Sequence, residues 1–167
     1  MKKIFALILP LFLLFSCGDS QHVTDTLDRA EQLMENTPDS ALAVLNRLDT
    51  DSVREQRNRA RLALLKSQAL DKTYNDVKDD SLITIATDYY ADAGDPHYEM
   101  LSQYYLGRVK FNNDEFAPSL IAMFQTLEIA KQLDDPFWTA MAAREIGNTY
   151  GVAYTTSESV PYYKLAL

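Results

Sequence analysis

The feature that most constrains the fold of this chain is a set of aspartate, proline and glycine residues that recurs at a spacing of 40. Gly-Asp-Pro at 94–96 and Asp-Asp-Pro at 134–136 each place an aspartate before a proline, the order expected where a helix begins. Gly107 and Gly147 are also 40 residues apart, and each follows a large apolar residue. A period near 40 with two helices per unit is typical of a helical solenoid.

Apolar residues between these markers recur with the helical period, and no segment alternates over a useful length with the period of two that a half-buried strand shows. Pro118 and Pro161 fall in the predicted first turn of a second helix, where a missing N–H costs nothing. The predicted fold class is all-α, a right-handed solenoid of about four helical hairpins. The predicted helices lie at about 24–35 and 38–48, 53–72 and 80–93, 96–111 and 115–132, and 136–151 and 157–167.

Four segments carry a resemblance to a known family. Residues 104–111, YYLGRVKF, and 144–151, REIGNTYG, resemble the first helix of a tetratricopeptide repeat (TPR), with a large apolar residue, a glycine and an aromatic one turn later. Residues 124–136, FQTLEIAKQLDDP, and 162–167, YYKLAL, resemble its second helix. The glycine indicates close packing, because a side chain there would push the two helices of the hairpin apart.

The repeats depart from the TPR pattern in two respects. The second unit has Lys66 or Ser67 where the glycine would fall, and the unit length near 40 exceeds the usual 34. The last hairpin is expected to be incomplete or uncapped, because YYKLAL leaves an apolar stripe uncovered and solenoids usually end in a polar capping helix. Two explanations are open: a longer protein, which is favoured, or a partner that covers this end.

The only cysteine of the chain, Cys17, marks the end of an apolar run. Lys2 and Lys3 precede 12 mostly apolar residues, and Ser16 stands directly before the cysteine. This pattern is typical of a secretory signal peptide and is too short for a membrane span. Residues 14–17, LFSC, resemble the lipobox of bacterial lipoproteins. The alternatives are an ordinary cleaved signal peptide that happens to hold a cysteine, and a cytosolic protein with an apolar start.

Taken together, the lipobox and the repeats make the chain similar to the TPR lipoproteins of Bacteroidota. The resemblance implies a lipoprotein signal peptide at 1–16, a polar tether at 17–23 and a TPR-like domain at 24–167. It also implies that Cys17 carries diacylglycerol and that the new amino terminus is acylated, so that palmitate-type chains hold the protein on a membrane outside the cytoplasm. Because Gly18 rather than aspartate follows the cysteine, the outer membrane is expected, on either its periplasmic or its exterior face.

The charge balance excludes one class of partner. Without residues 1–16, 14 basic and 24 acidic side chains remain, a formal charge of −10. Nucleic-acid binding depends on lysine and arginine neutralising phosphates, so we expect no nucleic-acid partner.

The sequence holds little catalytic chemistry. His22 and His97 have no partners at metal-ligand spacing, and no zinc, phosphate-loop or nucleophile motif is present. Asp79–Asp80 and Asp134–Asp135 lie at predicted helix starts, where carboxylates satisfy free N–H groups, as Thr37 can before Pro38. We therefore expect no enzyme activity, no cofactor and no metal site.

The TPR resemblance also implies a binding surface. In TPR solenoids the first helices line a concave groove, and residues three before and one after the glycine point into it. An arginine and an asparagine four residues apart could bind a carboxylate or a peptide backbone. The alternative is that both arginines pair with acids of a neighbouring helix, and the other aromatic residues of the repeats are expected to fill the core. The candidate groove residues are Tyr104, Arg108, Phe111, Asn112, Arg144 and Asn148.

The function predicted from the sequence is that of a membrane-anchored extracytoplasmic scaffold that binds a protein or peptide. The alternative is the amino-terminal sensing part of a longer signalling or transcription-regulatory protein.

Overall fold

The computed structural model describes the backbone of residues 16–154 and 156–167 and side chains from residue 21 onward. Within these residues the chain forms eight α-helices and one short 3-10 helix at Thr50–Ser52, and no strand. The all-α fold class is therefore confirmed. The helices are α1 (Ser16–Leu33), α2 (Pro38–Asn46), α3 (Gln56–Lys72), α4 (Ser81–Tyr90), α5 (Pro96–Asn112), α6 (Phe116–Gln132), α7 (Pro136–Ala153) and α8 (Thr156–Leu165).

Each helix packs against the helix that follows it in the chain, and the hairpins are α1–α2, α3–α4, α5–α6 and α7–α8. The odd-numbered helices α1, α3 and α5 also contact one another in order. The starts of α5 and α7 confirm the predicted aspartate caps. Asp95 accepts a hydrogen bond from the backbone N–H of Tyr98 at 3.3 Å, and Asp135 accepts one from that of Trp138 at 3.0 Å.

The turns between helices share a backbone conformation that recurs every 20 residues. Tyr74, Gly94, Asp114 and Asp134 all have φ between 52° and 70°, the left-handed region. In three of these turns, the residue after the left-handed one donates its backbone N–H to the carbonyl five positions earlier in the preceding helix. Glu115 donates to Lys110 in this way at 2.9 Å. This is the Schellman arrangement, which satisfies carbonyls at a helix end. The 40-residue period of the sequence thus has a counterpart in the backbone.

The buried apolar side chains form two clusters that meet at α3. Leu62, Leu65 and Ala69 pack with α1, α2 and Val53, whereas Ala60 and Leu64 of the same helix belong to the cluster that continues through α7. Because α3 is apolar on two faces, it joins the first hairpin to the rest of the molecule.

Three sequence predictions need correction. Helix α1 begins at Ser16 rather than near residue 24, so the segment 17–23 predicted as a polar tether is helical. The helix extends past the predicted start because Val23 is buried one turn before Leu27 and lengthens the apolar stripe of α1. The predicted signal peptide lies almost wholly outside the described residues, and Cys17 lies in the first turn of α1.

The other two corrections concern helix starts. Thr37 occupies the N-cap position of α2 without a side-chain cap, because its hydroxyl donates to the carbonyl of Leu33 instead. Pro118 lies in the first turn of α6 as predicted, but Pro161 lies inside α8, which begins at Thr156. The prediction for Pro161 is therefore wrong by about one turn.

The two glycines at a spacing of 40 lie where the sequence predicts close packing. A Cβ on Gly107 would come within 2.7 Å of Met123 on α6, and one on Gly147 within 2.8 Å of Tyr163 on α8. In both hairpins a Cβ on the first helix would therefore meet a side chain of the second at less than an ordinary contact distance, so that side chain would have to shift. The packing reason for these glycines is confirmed.

Candidate functional site

A groove runs across the odd-numbered helices and consists of two adjoining cavities. The first, of about 290 Å³, lies between the end of α3, the middle of α5 and the first half of α7. The second, of about 420 Å³, continues between α5, the second half of α7 and α8. Arg108 and Glu145 line both cavities. We call the two together the odd-helix groove.

Five of the six candidate groove residues line it: Tyr104 and Arg144 in the first cavity, Phe111 and Asn148 in the second, and Arg108 in both. Asn112 is the exception. Its amide donates to the carbonyl of Val77 at 3.3 Å, which ties α5 to the segment before α4. The structure thus brings five of the six predicted residues to one groove.

Arg108 holds three helices together across the floor of the groove. Its guanidinium contacts Asp71 of α3 at 2.9 Å and Glu145 of α7 at 3.0 Å. Burial alone would lower the pKa of Arg108, but the two carboxylates outweigh burial and raise it. The alternative interpretation of this residue, pairing with acids of neighbouring helices, is therefore confirmed, and Arg108 positions the groove while lining it.

Glu145 is the central residue that sequence reasoning missed. Its side chain is only 7% exposed, and its two oxygens accept hydrogen bonds from Arg108, Arg144 and Asn148. The sequence did contain a signal for this ion-pair network. Asp71, Arg108 and Glu145 follow one another at intervals of 37 residues, which is three residues, or about one helical turn, less than the 40-residue repeat. That spacing places alternating charges on adjacent odd-numbered helices.

Arg144 is the cation of the groove that faces solvent most. It pairs with Glu145, the next residue of α7, at 2.7 Å, and half of its side chain is exposed. Asn148 is more enclosed, because it donates to Glu145 at 3.2 Å and accepts from the Tyr163 hydroxyl of α8 at 2.9 Å. Of the predicted arginine–asparagine pair, Arg144 is therefore the better placed to meet a ligand.

Aromatic side chains form the wall of the first cavity. Tyr104 is buried, and its ring meets the edge of Trp138 at a centroid distance of 5.0 Å. Burial raises the pKa of its hydroxyl, and the Glu145 charge adds to the effect, so Tyr104 is a neutral group. At the second cavity, Phe111 packs edge-on against Phe116. Tyr104 therefore contributes to the core as well as to the groove, and Phe111 lines the groove beside Phe116.

Two exposed aromatic residues at the mouth of the first cavity were missed by the sequence interpretation. Phe137 is 61% exposed, and Tyr74 is 94% exposed and holds the left-handed conformation of the turn after α3. Trp138, which the sequence assigned to the core, is half-buried and lines the same cavity. The exposure of Phe137 has no signature in the apolar periodicity, because Phe137 lies in the first turn of α7, directly after Pro136.

The described residues contain no group of three His, Cys, Asp or Glu side chains that could hold a metal ion. No helix among them is both long and apolar enough to cross a bilayer. Three of the paired acids serve as helix caps or ion-pair partners: Asp79 accepts from the backbone N–H of Ser81 at 2.8 Å, Asp80 contacts Lys110 at 2.7 Å, and Asp135 caps α7. The hydrogen bonds from Ser81 lower the pKa of Asp79.

Comparison with known proteins yields no match to a family model, to a curated protein or to a solved structure. The TPR resemblance therefore rests on the sequence segments quoted for it, and the odd-helix groove is interpreted from its own chemistry.

Proposed function

We propose that this chain is a membrane-anchored, extracytoplasmic scaffold of TPR-like hairpins that binds a protein or peptide segment in the odd-helix groove. The observation that carries the proposal is the composition of the groove's open side. Phe137, Trp138 and the half-exposed Arg144 stand together on one helix, opposite Tyr74. Aromatic residues, methionine and arginine are the residue types enriched where proteins bind one another.

The shape of the groove supports a chain-like ligand. Two cavities share Arg108 and Glu145, so one ligand segment could continue from the aromatic wall to the contact between α7 and α8. Apolar contact with Phe137 and Trp138 would supply affinity, and Arg144 would supply orientation through charge-assisted hydrogen bonds. Arg108 and Asp71 already form an ion pair in the free protein, and this pair holds the groove rigid. A ligand that binds there therefore loses little free energy to ordering the groove.

The solenoid architecture is part of the same proposal. Each helix packs on its neighbours in the chain, as stacked hairpins require, and the left-handed turn residues recur every 20 positions in support of a regular repeat. In such a stack the odd-numbered helices present one continuous face, and that face is where the two cavities lie.

Exposed groove residues can be removed without disturbing the core, which allows a direct binding test. We expect peptides selected from a phage-displayed random library on the immobilised full chain to bind about tenfold more weakly to a variant with Phe137→Ala and Arg144→Ala, since anchor aromatics and arginine dominate interface energy. Fluorescence polarisation of the selected peptides measures the change, and circular dichroism confirms unchanged helicity.

The matched control is Ile121→Ala, which removes an apolar side chain that is 63% exposed on α6, outside the groove. It should leave peptide affinity unchanged. Equal losses in the control and the groove variant, or no selectable peptide at all, would remove the odd-helix groove as the binding site.

The anchor is supported by the sequence alone, through the apolar run and the lipobox-like residues before Cys17. We expect cells that express the chain to incorporate radiolabelled palmitate into it, and Cys17→Ala to abolish that labelling, since the chain has no other thiol. Gel autoradiography with Ser20→Ala as the control measures this. Label that persists in the Cys17→Ala chain would show that the attachment site is elsewhere and that the lipoprotein assignment is wrong.

A further inference from the structure

A second cleft lies on a different part of the molecule and shares no lining residue with the odd-helix groove. It has a volume of about 310 Å³ and is bounded by the 3-10 helix, by α3 and by α4. Its floor and far wall are apolar: Val53, Leu62 and Ala63 are buried beneath it, and Ile85 of α4 is 47% exposed at its side. We call it the α3–α4 cleft.

The cleft exists because the first two hairpins are joined by a long connection. Residues 47–55 separate α2 from α3, whereas only residues 133–135 separate α6 from α7. The longer connection includes the 3-10 helix and places Thr50 and Asp51 at one edge of the cleft. No residue of α2 lines this space, and apolar side chains of α3 and α4 form much of its lining.

The charges of the cleft differ from those of the odd-helix groove. Arg59, Leu62, Ala63 and Lys66 follow the spacing i, i+3, i+4 and i+7, so one stripe of α3 carries a cation at each end of an apolar floor. Arg59 is held in place by a hydrogen bond from Nε to the carbonyl of Val53 at 2.7 Å.

Among the described residues neither Arg59 nor Lys66 forms a salt bridge, whereas Lys72, Arg108 and Arg144 of the odd-helix groove all do. Asp51 is the single acid of the cleft lining. The lining therefore carries a net charge of +1 on a protein whose formal charge is −8.

We propose that the α3–α4 cleft binds a small amphipathic monoanion of the fatty-acid type, an apolar body that bears one carboxylate. The apolar body lies on Leu62 and Ala63 against Ile85, and the carboxylate meets Lys66 or the guanidinium of Arg59. A volume of about 310 Å³ is at the lower end of the range for small-molecule sites, which are mostly apolar with a few convergent polar groups. The size favours such a molecule over a folded partner, and the net charge selects an anion.

Decanoate titration by ¹H–¹⁵N NMR tests the proposal. The Cys17→Ala full chain serves as the parent, so that no attached acyl chain competes for the cleft. Saturable shifts are expected in α3 and α4. Lys66→Gln and Ile85→Glu should each weaken decanoate binding by about fivefold or more, Asp51→Asn should strengthen it, and decyltrimethylammonium, with an equally long chain and the opposite charge, should bind at least about fivefold more weakly.

The controls separate this site from general surface binding. Ile121→Glu and Lys131→Gln alter exposed residues of α6 in the same ways and should leave the decanoate affinity unchanged. The proposal is overturned if decanoate does not saturate, if its shifts fall in the odd-helix groove, or if the α6 variants weaken it equally. Concentration-dependent self-association that Ile85→Glu abolishes would assign the cleft to a second copy of the chain instead.

Discussion

Replacing Glu145 by alanine is expected to lower the free energy of unfolding by about 3 kcal/mol, because the change removes a buried carboxylate that pairs with cations. Glu145 accepts hydrogen bonds from Arg108, Arg144 and Asn148 within α5 and α7. Without it, the half-buried Arg108 keeps only Asp71, and part of its charge is left without a partner. Urea denaturation followed by circular dichroism measures the loss.

The matched control is Glu128→Ala on α6, since Glu128 is exposed and accepts a long hydrogen bond from Gln132 at 3.4 Å. This variant should change the free energy of unfolding by less than about 0.5 kcal/mol. Arg144→Ala should cost less than about 1 kcal/mol, because half of that side chain is in solvent.

A triple variant distinguishes a charge left without a partner from the loss of a side chain. If the loss in Glu145→Ala comes from an unpaired Arg108, then replacing all three paired groups, by Asp71→Leu, Arg108→Met and Glu145→Leu, should recover most of the stability, since apolar replacements of a whole ion-pair network are often neutral. A loss below about 1 kcal/mol in Glu145→Ala would show that the network does not hold the helices together.

The helices and their pairing could be predicted from the sequence because apolar spacing and helix-start residues report directly on local structure. The starts of α5 and α7 follow from Asp95–Pro96 and Asp135–Pro136, whose capping depends only on neighbours in the chain. The start of α1 could not be predicted in the same way. Its first turns are polar, and Val23 is buried there in a cluster that includes Leu48 and Val53, which are distant in sequence.

The groove residues were predicted in part for the same physical reason. A residue's face on a helix follows from its position relative to Gly107 and Gly147, so Tyr104 and Arg108 could be placed correctly. What each side chain pairs with is a tertiary property. That Glu145 would be buried and shared by two arginines depends on how closely α5 and α7 approach, which the sequence does not report. The same holds for the exposure of Phe137 and for the α3–α4 cleft, which results from the length of a connection.

Gly107→Val is expected to lower the free energy of unfolding by about 2–3 kcal/mol, because added methyl groups must enter a packed core. A Cβ at this position already comes within 2.7 Å of the Met123 methyl and 3.1 Å of its Cγ, and Met123 is buried among the side chains between α5 and α6. The two methyl groups of the β-branched valine cannot be accommodated by moving the end of the Met123 side chain alone. The helices must separate, or Met123 must leave its position.

Alanine at the same position distinguishes crowding from backbone effects. Gly107→Ala adds only the Cβ, which the flexible Met123 can yield to, and alanine favours a helix over glycine by about 1 kcal/mol, so the net change should stay within about 1 kcal/mol.

Gly151→Ala is the matched control, since its Cβ would meet the Tyr163 hydroxyl at an ordinary 3.6 Å. It should raise the free energy of unfolding by about 0.5–1 kcal/mol, as expected for a helical glycine with room for a methyl group. Thermal and urea denaturation of the three variants give the order Gly151→Ala, Gly107→Ala, Gly107→Val from most to least stable. If Gly107→Val were as stable as Gly107→Ala, the recurrence of glycine every 40 residues would need a reason other than the close approach of two helices.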